Sequence, residues 1–388
     1  MRIRRRALGL LLGAAVLFMI GTNVQAGWLY VLCALLLGAV LAGVLLPFAA
    51  LRGLRAELVA PSEAEQGGET FVDVRLSNTA RGVRWSVVVA DRHLEAAEVF
   101  VPSVRPGERV ELTTLRRPER RGEARTERIE VRSSAPFGVA ERRRRLPVDA
   151  TTLVLPRIVP LERMPFVDAT ATNDVGIHRS PRRGHGPEYL GVREYRTGDS
   201  MRHVHWGLTA RHGQVMVREF EQERTRRLAV VVDTERDEGE SWTPLDRCCC
   251  VAASLLEAAS AHGHGARLAA AGAGGDVEVL ARADEDTAMR WLARLTASAT
   301  PFPEALGRLG VDELRGVETL LAVFPVWGDS DLRAVAAALG RLSAKRVVAI
   351  PLGVTSGEVD VHPLTEAGVE IHPWRVDEDL AVALEATT

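Results

Sequence analysis

Lysine is almost missing from this chain of 388 residues: Lys345 stands alone, and every other one of the 49 basic residues is arginine. So complete a skew reflects codon composition, which weakens a nucleic-acid reading of runs such as "RRPERR" (116–121) and "ERRRR" (141–145). Aromatic residues are also few, at 5%, and none interleaves with those runs, whereas single strands are held by rings stacked on bases beside basic groups. The runs read instead as solvated strand ends close to anionic lipid, and no nucleic-acid partner is expected. Cysteine is scarce too: Cys33 sits in an apolar run, and Cys248, Cys249 and Cys250 are adjacent. Neighbours on a helix point about 100° apart, so those three cannot share one metal or bridge each other. No disulfide framework is visible, which suits a reducing compartment. Absent as well are a Walker A loop, HExxH, GxSxG and the Rossmann glycine fingerprint, which removes the simplest signatures of several enzyme classes.

What the chain does have is two long uncharged runs near its start: "ALGLLLGAAVLFMIG" (7–21) and "WLYVLCALLLGAVLAGVLLPFAAL" (28–51). About 20 apolar residues cross a bilayer as a helix, so the second suffices by length. The first is short enough for the core of a signal peptide, with Val24-Gln25-Ala26 as a small-residue cleavage site, but the length of the second makes a two-helix hairpin over residues 1–55 the better reading. "MRIRRR" precedes the first run, Arg52 and Arg55 follow the second, and the link "TNVQAG" carries no charge. Positive flanks stay on the cytoplasmic side, so the expected protein is a cytoplasmic body anchored in the cell membrane, with the lipid bilayer as its first partner. Net charge is −2 but unevenly spread: residues 1–227 hold 36 arginines against 25 acids, and residues 228–388 hold 13 basic residues against 26 acids. The two halves attract each other and favour different partners.

Between residues 56 and 150 short alternating segments follow one another without helical patterning. "TFVDVRLSN" sets Phe71, Asp73 and Arg75 on one face and Val72, Val74 and Leu76 on the other, and "RWSVVVADR", "EVFVPSV", "RVELTTL" and "ERIEVRSS" continue the pattern. This predicts a small β-sandwich domain, a packing or binding module without chemistry of its own. From residue 227 the rhythm changes to continuous apolar strands, such as "RLAVVVD", alternating with helices, such as "PLDRCCCVAASLLEAASAHG" (244–263). Residues 227–388 therefore read as a doubly wound, Rossmann-like α/β domain whose ligands sit beyond the carboxyl ends of its strands. One such end is "DTERDEGE": Asp233, Glu235 and Asp237 alternate, and with Asp329 or Asp331 from "WGDSD" they are candidate Mg²⁺ or Ca²⁺ ligands, against the plainer reading of a solvated acidic loop.

The densest passage lies in the intervening segment 151–226. "REYRTGDSMRHVHW" (193–206) packs acids, arginines, two histidines and two aromatics around Gly198. Asp199 after that glycine reads as an N-cap opening a short helix over "SMRHVHWGL", which separates the imidazoles of His203 and His205. The longer stretch "YLGVREYRTGDSMRHVHWGLTARHGQVMVREFEQE" (189–223) resembles the hallmark of the family called domain of unknown function 58, through Arg193-Glu194-Tyr195, Gly198-Asp199, Arg202, Trp206, Ala210-Arg211 and Val217-Arg218-Glu219. Gly207 departs from it, where the family often has a basic residue.

That resemblance implies a membrane hairpin, a β-rich domain, the hallmark packed on the last domain, and a C-terminal domain similar to von Willebrand factor type A. It also implies company: such proteins are often encoded beside MoxR-type AAA+ ATPases and transglutaminase-like membrane proteins. The metal motif of type A domains, Asp-x-Ser-x-Ser, falls on Asp233, Glu235 and Asp237, where acids replace both serines. A resident cofactor is therefore not expected. The expected function is a membrane-anchored scaffold or binding protein acting with such an ATPase in assembly or maturation of a complex. In that reading Gly198 permits a turn, Asp199 caps, Trp206 packs, and Arg193, Arg202 and Arg211 pair with acids in a buried network. The rival is a metal-dependent hydrolase using Asp199, His203, His205 and the 233–237 acids. The arginine flanks make a topological prediction: a reporter active only outside the membrane, fused after Thr388, stays silent, and clear activity there sinks the cytoplasmic hairpin.

Overall fold

The computed structural model describes residues 2–3, 5–90, 98–164, 189–195, 204–220, 227–239, 241–280, 284–326, 329–342, 344, 346–353, 361–375 and 378–385. The chain forms two compact units. The first comprises Met1–Arg157 with two later returns, Glu238–Asp246 and Met289–Leu295. It opens with β1 (Arg2–Ile3), α1 (Arg5–Val24) and α2 (Gly27–Ala50), then β2 (Leu54–Val59), β3 (Glu63–Glu65), β4 (Thr70–Asn78), β5 (Arg84–Ala90), β6 (Glu98–Val104), β7 (Arg109–Arg116), β8 (Gly122–Ser133) and β9 (Ala140–Leu155). The remaining elements are β10 (Tyr189–Glu194), α3 (Trp206–His212), β11 (Met216–Phe220), β12 (Arg227–Val232), α4 (Pro244–Ala261), β13 (Gly265–Ala271), β14 (Val277–Leu280), α5 (Glu285–Arg294), α6 (Phe302–Arg308), β15 (Thr319–Pro325), α7 (Asp329–Leu339), β16 (Arg346–Leu352), α8 (His362–Glu366), β17 (Glu370–Ile371) and α9 (Leu380–Glu385).

The two apolar runs are helices, each long and apolar enough to cross a membrane. They lie antiparallel: a Cβ on Gly21 would sit 3.2 Å from that of Leu29, Cys33 Sγ donates to the Ala14 carbonyl at 3.3 Å, and Phe18 meets Tyr30 edge-on. Leu8, Leu12, Met19, Val31, Leu35 and Leu41 point outward, so the helix pair carries an apolar outer surface, which is compatible with a membrane anchor. In the β-region, β2–β4–β7 form one antiparallel sheet, and β1–β9–β8–β5–β6, with β3 beside β9, form another. The two sheets share a core of alternating residues, among them Leu58, Val74 and Leu76 from the first and Val89, Ile129 and Val131 from the second. Strand β4 alternates as its sequence predicts: Val72, Val74 and Leu76 are buried, whereas Phe71 is exposed and Asp73 accepts from the Thr113 hydroxyl. Strand β1, which the sequence did not suggest, pairs Arg2–Ile3 with Ala140–Glu141, so the N-terminal end of α1 lies with the β-region that α2 runs into.

The second unit is built on a six-stranded sheet in the order β14–β13–β12–β15–β16–β17, parallel except for the antiparallel edge strand β14. Its central strands are apolar along their length because both faces are covered, as in β12, where Leu228 to Val232 are all buried. One face carries Ala229, Val231, Leu320, Ala322 and Phe324 against α6, α7 and α8. Of these helices, α6 and α8 were not legible: each is a turn or two long and begins beside proline. Cys248, Cys249 and Cys250 are buried in α4 as small apolar residues.

The two returns to the first unit are anchored by one arginine. Arg121 is 3% exposed in its side chain, and its guanidinium donates to Asp246 Oδ1 at 2.7 Å, to the Leu292 carbonyl at 3.2 Å and to the Leu295 carbonyl at 2.8 Å. Asp246 is wholly buried, and it also closes a reciprocal cap at the start of α4: its Oδ2 accepts from Thr243 N while its own N–H donates to Thr243 Oγ1. Removing one partner of a buried ion pair strands the other charge, at a cost of about 3–5 kcal/mol. Arg121→Ala should therefore lower the unfolding midpoint of the full chain in detergent micelles far more than Arg125→Ala, whose exposed group faces Asp149. Equal midpoints for the two variants would show that the returns are held by something else.

Candidate functional site

The hallmark region is an antiparallel pair, β10 with β11, in which Arg193 opposes Val217 and Glu194 opposes Met216. The pairing is prolonged by Tyr195 N donating to the Val215 carbonyl at 2.7 Å. On the other side of β11, Val204 bridges to Val217, and His205 N donates to the Met216 carbonyl at 2.7 Å. That backbone bond holds residue 205 in non-helical conformation, so the helix predicted over "SMRHVHWGL" begins only at Trp206. His205 is its N-cap, accepting the Leu208 N–H on Nδ1 at 3.2 Å, and Gly213 ends it at φ 70° with its N–H on the Thr209 carbonyl. Thr209 Oγ1 then accepts from Met216 N, which ties the helix back to the strand.

Val204 and Val217, the latter itself part of the hallmark, are buried, whereas the other hallmark side chains among the described residues face outward. Trp206, expected to pack, is 63% exposed, because the first turn of α3 turns it away from β11; Tyr195 is 37% exposed, and Glu194, Ala210 and Arg211 are exposed. The buried arginine network expected here is thus not formed by Arg211. For Arg193, Arg218 and Glu219 the backbone is described and the side chain is not, and Gly198, Asp199, Arg202 and His203 lie outside the described residues.

The acidic loop leaves the carboxyl end of β12, but it does not turn its carboxylates to one side. Asp233 is 6% exposed, and its Oδ1 accepts the Glu235 N–H at 2.8 Å, which curls the chain instead of extending it. Glu235 Oε2 accepts from Phe302 N at the start of α6. Around them lies a hydrogen-bonded layer that sequence reasoning missed: Thr234 Oγ1 donates to the Ala271 carbonyl, Ser298 N to the Thr234 carbonyl, and Thr300 Oγ1 to the Gly275 carbonyl. These contacts join strand ends far apart in sequence, and nothing local to Thr234 or Ser298 marks them. Among the described residues no three His, Cys, Asp or Glu side chains are placed to hold a metal ion, and the Asp329 side chain is not described. Asp233 serves a backbone N–H, and burial pushes its pKa up to about 7, against the Glu235 N–H bond that favours the carboxylate.

Residues 191–356 match the family model described as "Protein of unknown function DUF58". The chain is a DUF58 family protein. No curated protein sequence matches it. Among solved structures, a CARDB domain from Pyrococcus furiosus is 16% identical with a TM-score of 0.17, over 25% of this chain and 94% of that one. An alkylpurine DNA glycosylase from Pseudomonas fluorescens is 15% identical with a TM-score of 0.16, over 35% of this chain and 43% of that one. A GH20 exo-β-N-acetylglucosaminidase from Vibrio harveyi is 11% identical with a TM-score of 0.19, over 74% of this chain and 60% of that one. Likenesses this low carry no argument about the DUF58 protein's fold or activity.

The raised pKa of Asp233 has a sign that can be measured. In the unfolded chain an aspartate ionises near about 4, whereas in the folded DUF58 protein Asp233 holds its proton to about 7. Between those values the folded state binds the extra proton, so stability is full at the acid end of the window and is lost as pH rises through it. Asp233→Asn keeps an acceptor for the Glu235 N–H without the ionisation. The wild-type unfolding midpoint should fall, relative to the asparagine variant, from about pH 4 to about pH 7 and run parallel above it. Parallel midpoints across the whole window would mean that Asp233 is ionised throughout.

Proposed function

We propose that this DUF58 protein is a membrane-anchored scaffold with its body in the cytoplasm, which binds a MoxR-type AAA+ ATPase during assembly or maturation of a complex. In this reading residues 56–150 are a β-sandwich spacer and residues 227–388 are a von Willebrand factor A-like domain; a transglutaminase-like membrane protein is a second neighbour at the membrane. The observation that carries the reading is the outward presentation of Tyr195, Trp206 and Arg211 on a backbone-locked hairpin and helix. Tyrosine, tryptophan and arginine are the side chains that dominate binding energy at protein interfaces, and a rigid support spares them the entropy of ordering. The chemistry available nearby points the same way, since His205 Nδ1 is engaged as a helix cap and Asp233 is buried. The arginine flanks of the hairpin support the cytoplasmic side.

Two outcomes follow for a titration of the full chain in detergent against a purified MoxR-type ATPase. Trp206→Ala combined with Arg211→Ala should weaken binding about tenfold or more, equivalent to about 1.4 kcal/mol. The unfolding midpoint should stay unchanged, because exposed positions shift stability by no more than about 0.5 kcal/mol. Binding should also survive EDTA and weaken with salt, as expected of a contact without a shared metal that draws on the acidic C-terminal half. Wild-type affinity in the double variant, or loss of binding in EDTA with indifference to salt, overturns this reading.

A further inference from the structure

The hairpin does not meet the β-region merely end to end. Strand β9 begins alongside the last turns of α2 and descends it in register: Val139 lies against Gly43, the Arg142 guanidinium lies 4.5 Å over the Phe48 ring, and Arg144 Nη1 donates to the Leu51 carbonyl at 2.8 Å. The first contact is close, since a Cβ on Gly43 would fall 2.8 Å from Val139 Cβ; Gly43, Pro47 and Val139 are all buried. Pro47 lacks the N–H that the Gly43 carbonyl would otherwise accept, a defect better tolerated against protein than against lipid. The last two turns of α2 are therefore occupied on one side by the β-region.

The helix pair shows what lies level with this contact. Gly21 meets Leu29, Gly13 meets Leu36 and Ala14 meets Cys33, so antiparallel partners sum to about 50, and Gly43 lies level with Ala7. Ala7 is the first apolar residue after the arginines of "RIRRR", and the backbone of Arg2–Ile3 is paired with Ala140–Glu141 just beside Val139. One plane thus contains the polar-to-apolar boundary of α1, the Gly43 contact on α2 and the start of β9. Beyond that plane α1 runs on for the 18 residues Ala7–Val24, about 27 Å at 1.5 Å per residue, close to the hydrocarbon thickness of a bilayer.

At that same plane lies the loop of residues 134–139, which joins the two longest strands, β8 and β9. Gly138, at φ 64°, donates to the Ser134 carbonyl at 2.8 Å and turns the chain tightly. Pro136 and Phe137 stand exposed at the tip, Phe137 at 49%. Behind the tip, on the side of the body, come Arg142, Arg143 and Arg145. An apolar tip with arginines one strand segment behind it is the order of groups met on crossing from acyl chains to phosphates.

We propose that this loop is a second membrane contact: Phe137 and Pro136 enter the interfacial layer of the same bilayer that the hairpin crosses, with the β9 arginines at the phosphates. The inference rests on reading the hairpin as a membrane anchor. It makes the β-region a body seated on the lipid surface at a fixed height, held by three strands of contact instead of a swivelling tether.

The test uses the full chain in vesicles of mixed phosphatidylcholine and phosphatidylglycerol, with an environment-sensitive dye on Phe137→Cys, on Leu35→Cys in α2 and on Phe71→Cys in β4. Leu35 and Phe71 are exposed at 64% and 68%, and the wild-type chain, with its four buried cysteines, is the labelling blank. The expected result is blue-shifted emission, protection from aqueous iodide and quenching by lipid-borne nitroxide at 137 and 35, and none of these at 71. A lipid reading at 35 with an aqueous reading at 137 overturns the loop contact and leaves the anchor standing. An aqueous reading at 35 overturns the anchor, and the loop contact with it. Equal shielding at 71 and 137 overturns the assignment to this loop.

Discussion

A guanidinium taken out of water has to find oxygen on every side, and Arg121 finds it on two segments distant in sequence. Its partners are the Asp246 carboxylate and the carbonyls of Leu292 and Leu295, so residues 238–246 and 289–295 are held in the first unit by groups that have no cheaper arrangement. The same aspartate caps α4 through Thr243, so the position at which that helix starts and the position at which Arg121 is satisfied are one constraint. Exposed pairs elsewhere on the β-region, such as Arg125 with Asp149 or Arg75 with Glu111, add little by comparison, because water competes for both members.

Two features that look like chemistry in the sequence have other uses in the structure. The acidic loop starts by curling inward, with Asp233 on a backbone N–H and Glu235 on the start of α6. The hallmark goes the other way. Among the described residues its backbone is engaged between β10, residues 204–205 and β11, and Tyr195, Trp206 and Arg211 are directed at solvent. In the scaffold reading proposed above, these outward side chains are the ones that meet the partner.

The junction of the helix pair with the β-region follows from a length argument joined to a packing one. The apolar run of α2 is longer than that of α1, and the excess is the part that lies against β9. Glycine at position 43 allows that approach, and Arg142 and Arg144 close it from the polar side. The junction is thus built from the same arginine-rich stretch that composition alone assigned to solvated strand ends near lipid.

Much of the architecture was legible because it depends on local pattern. Apolar runs of helical length, period-two alternation in β4 and continuous apolar strands such as β12 each dictate an element whatever surrounds them. The hallmark spacing was legible in the same way, and it identifies the family. What escaped was decided by partners distant in sequence. The pairing of β1 with β9, the short helices α6 and α8, and the layer of Thr234, Ser298 and Thr300 exist because tertiary neighbours supply hydrogen bonds and burial that the local sequence does not announce. Trp206 shows the limit most plainly. Its size and company suggest a packed core residue, yet the bond from His205 N to the Met216 carbonyl makes His205 the cap, so that α3 starts at Trp206 with the ring exposed to solvent. Periodicity and charge determined by themselves the longer helices, the longer strands and the two uncharged apolar runs. Which face each functional side chain shows depends on where the backbone finds its hydrogen-bond partners, and only the folded chain brings those together.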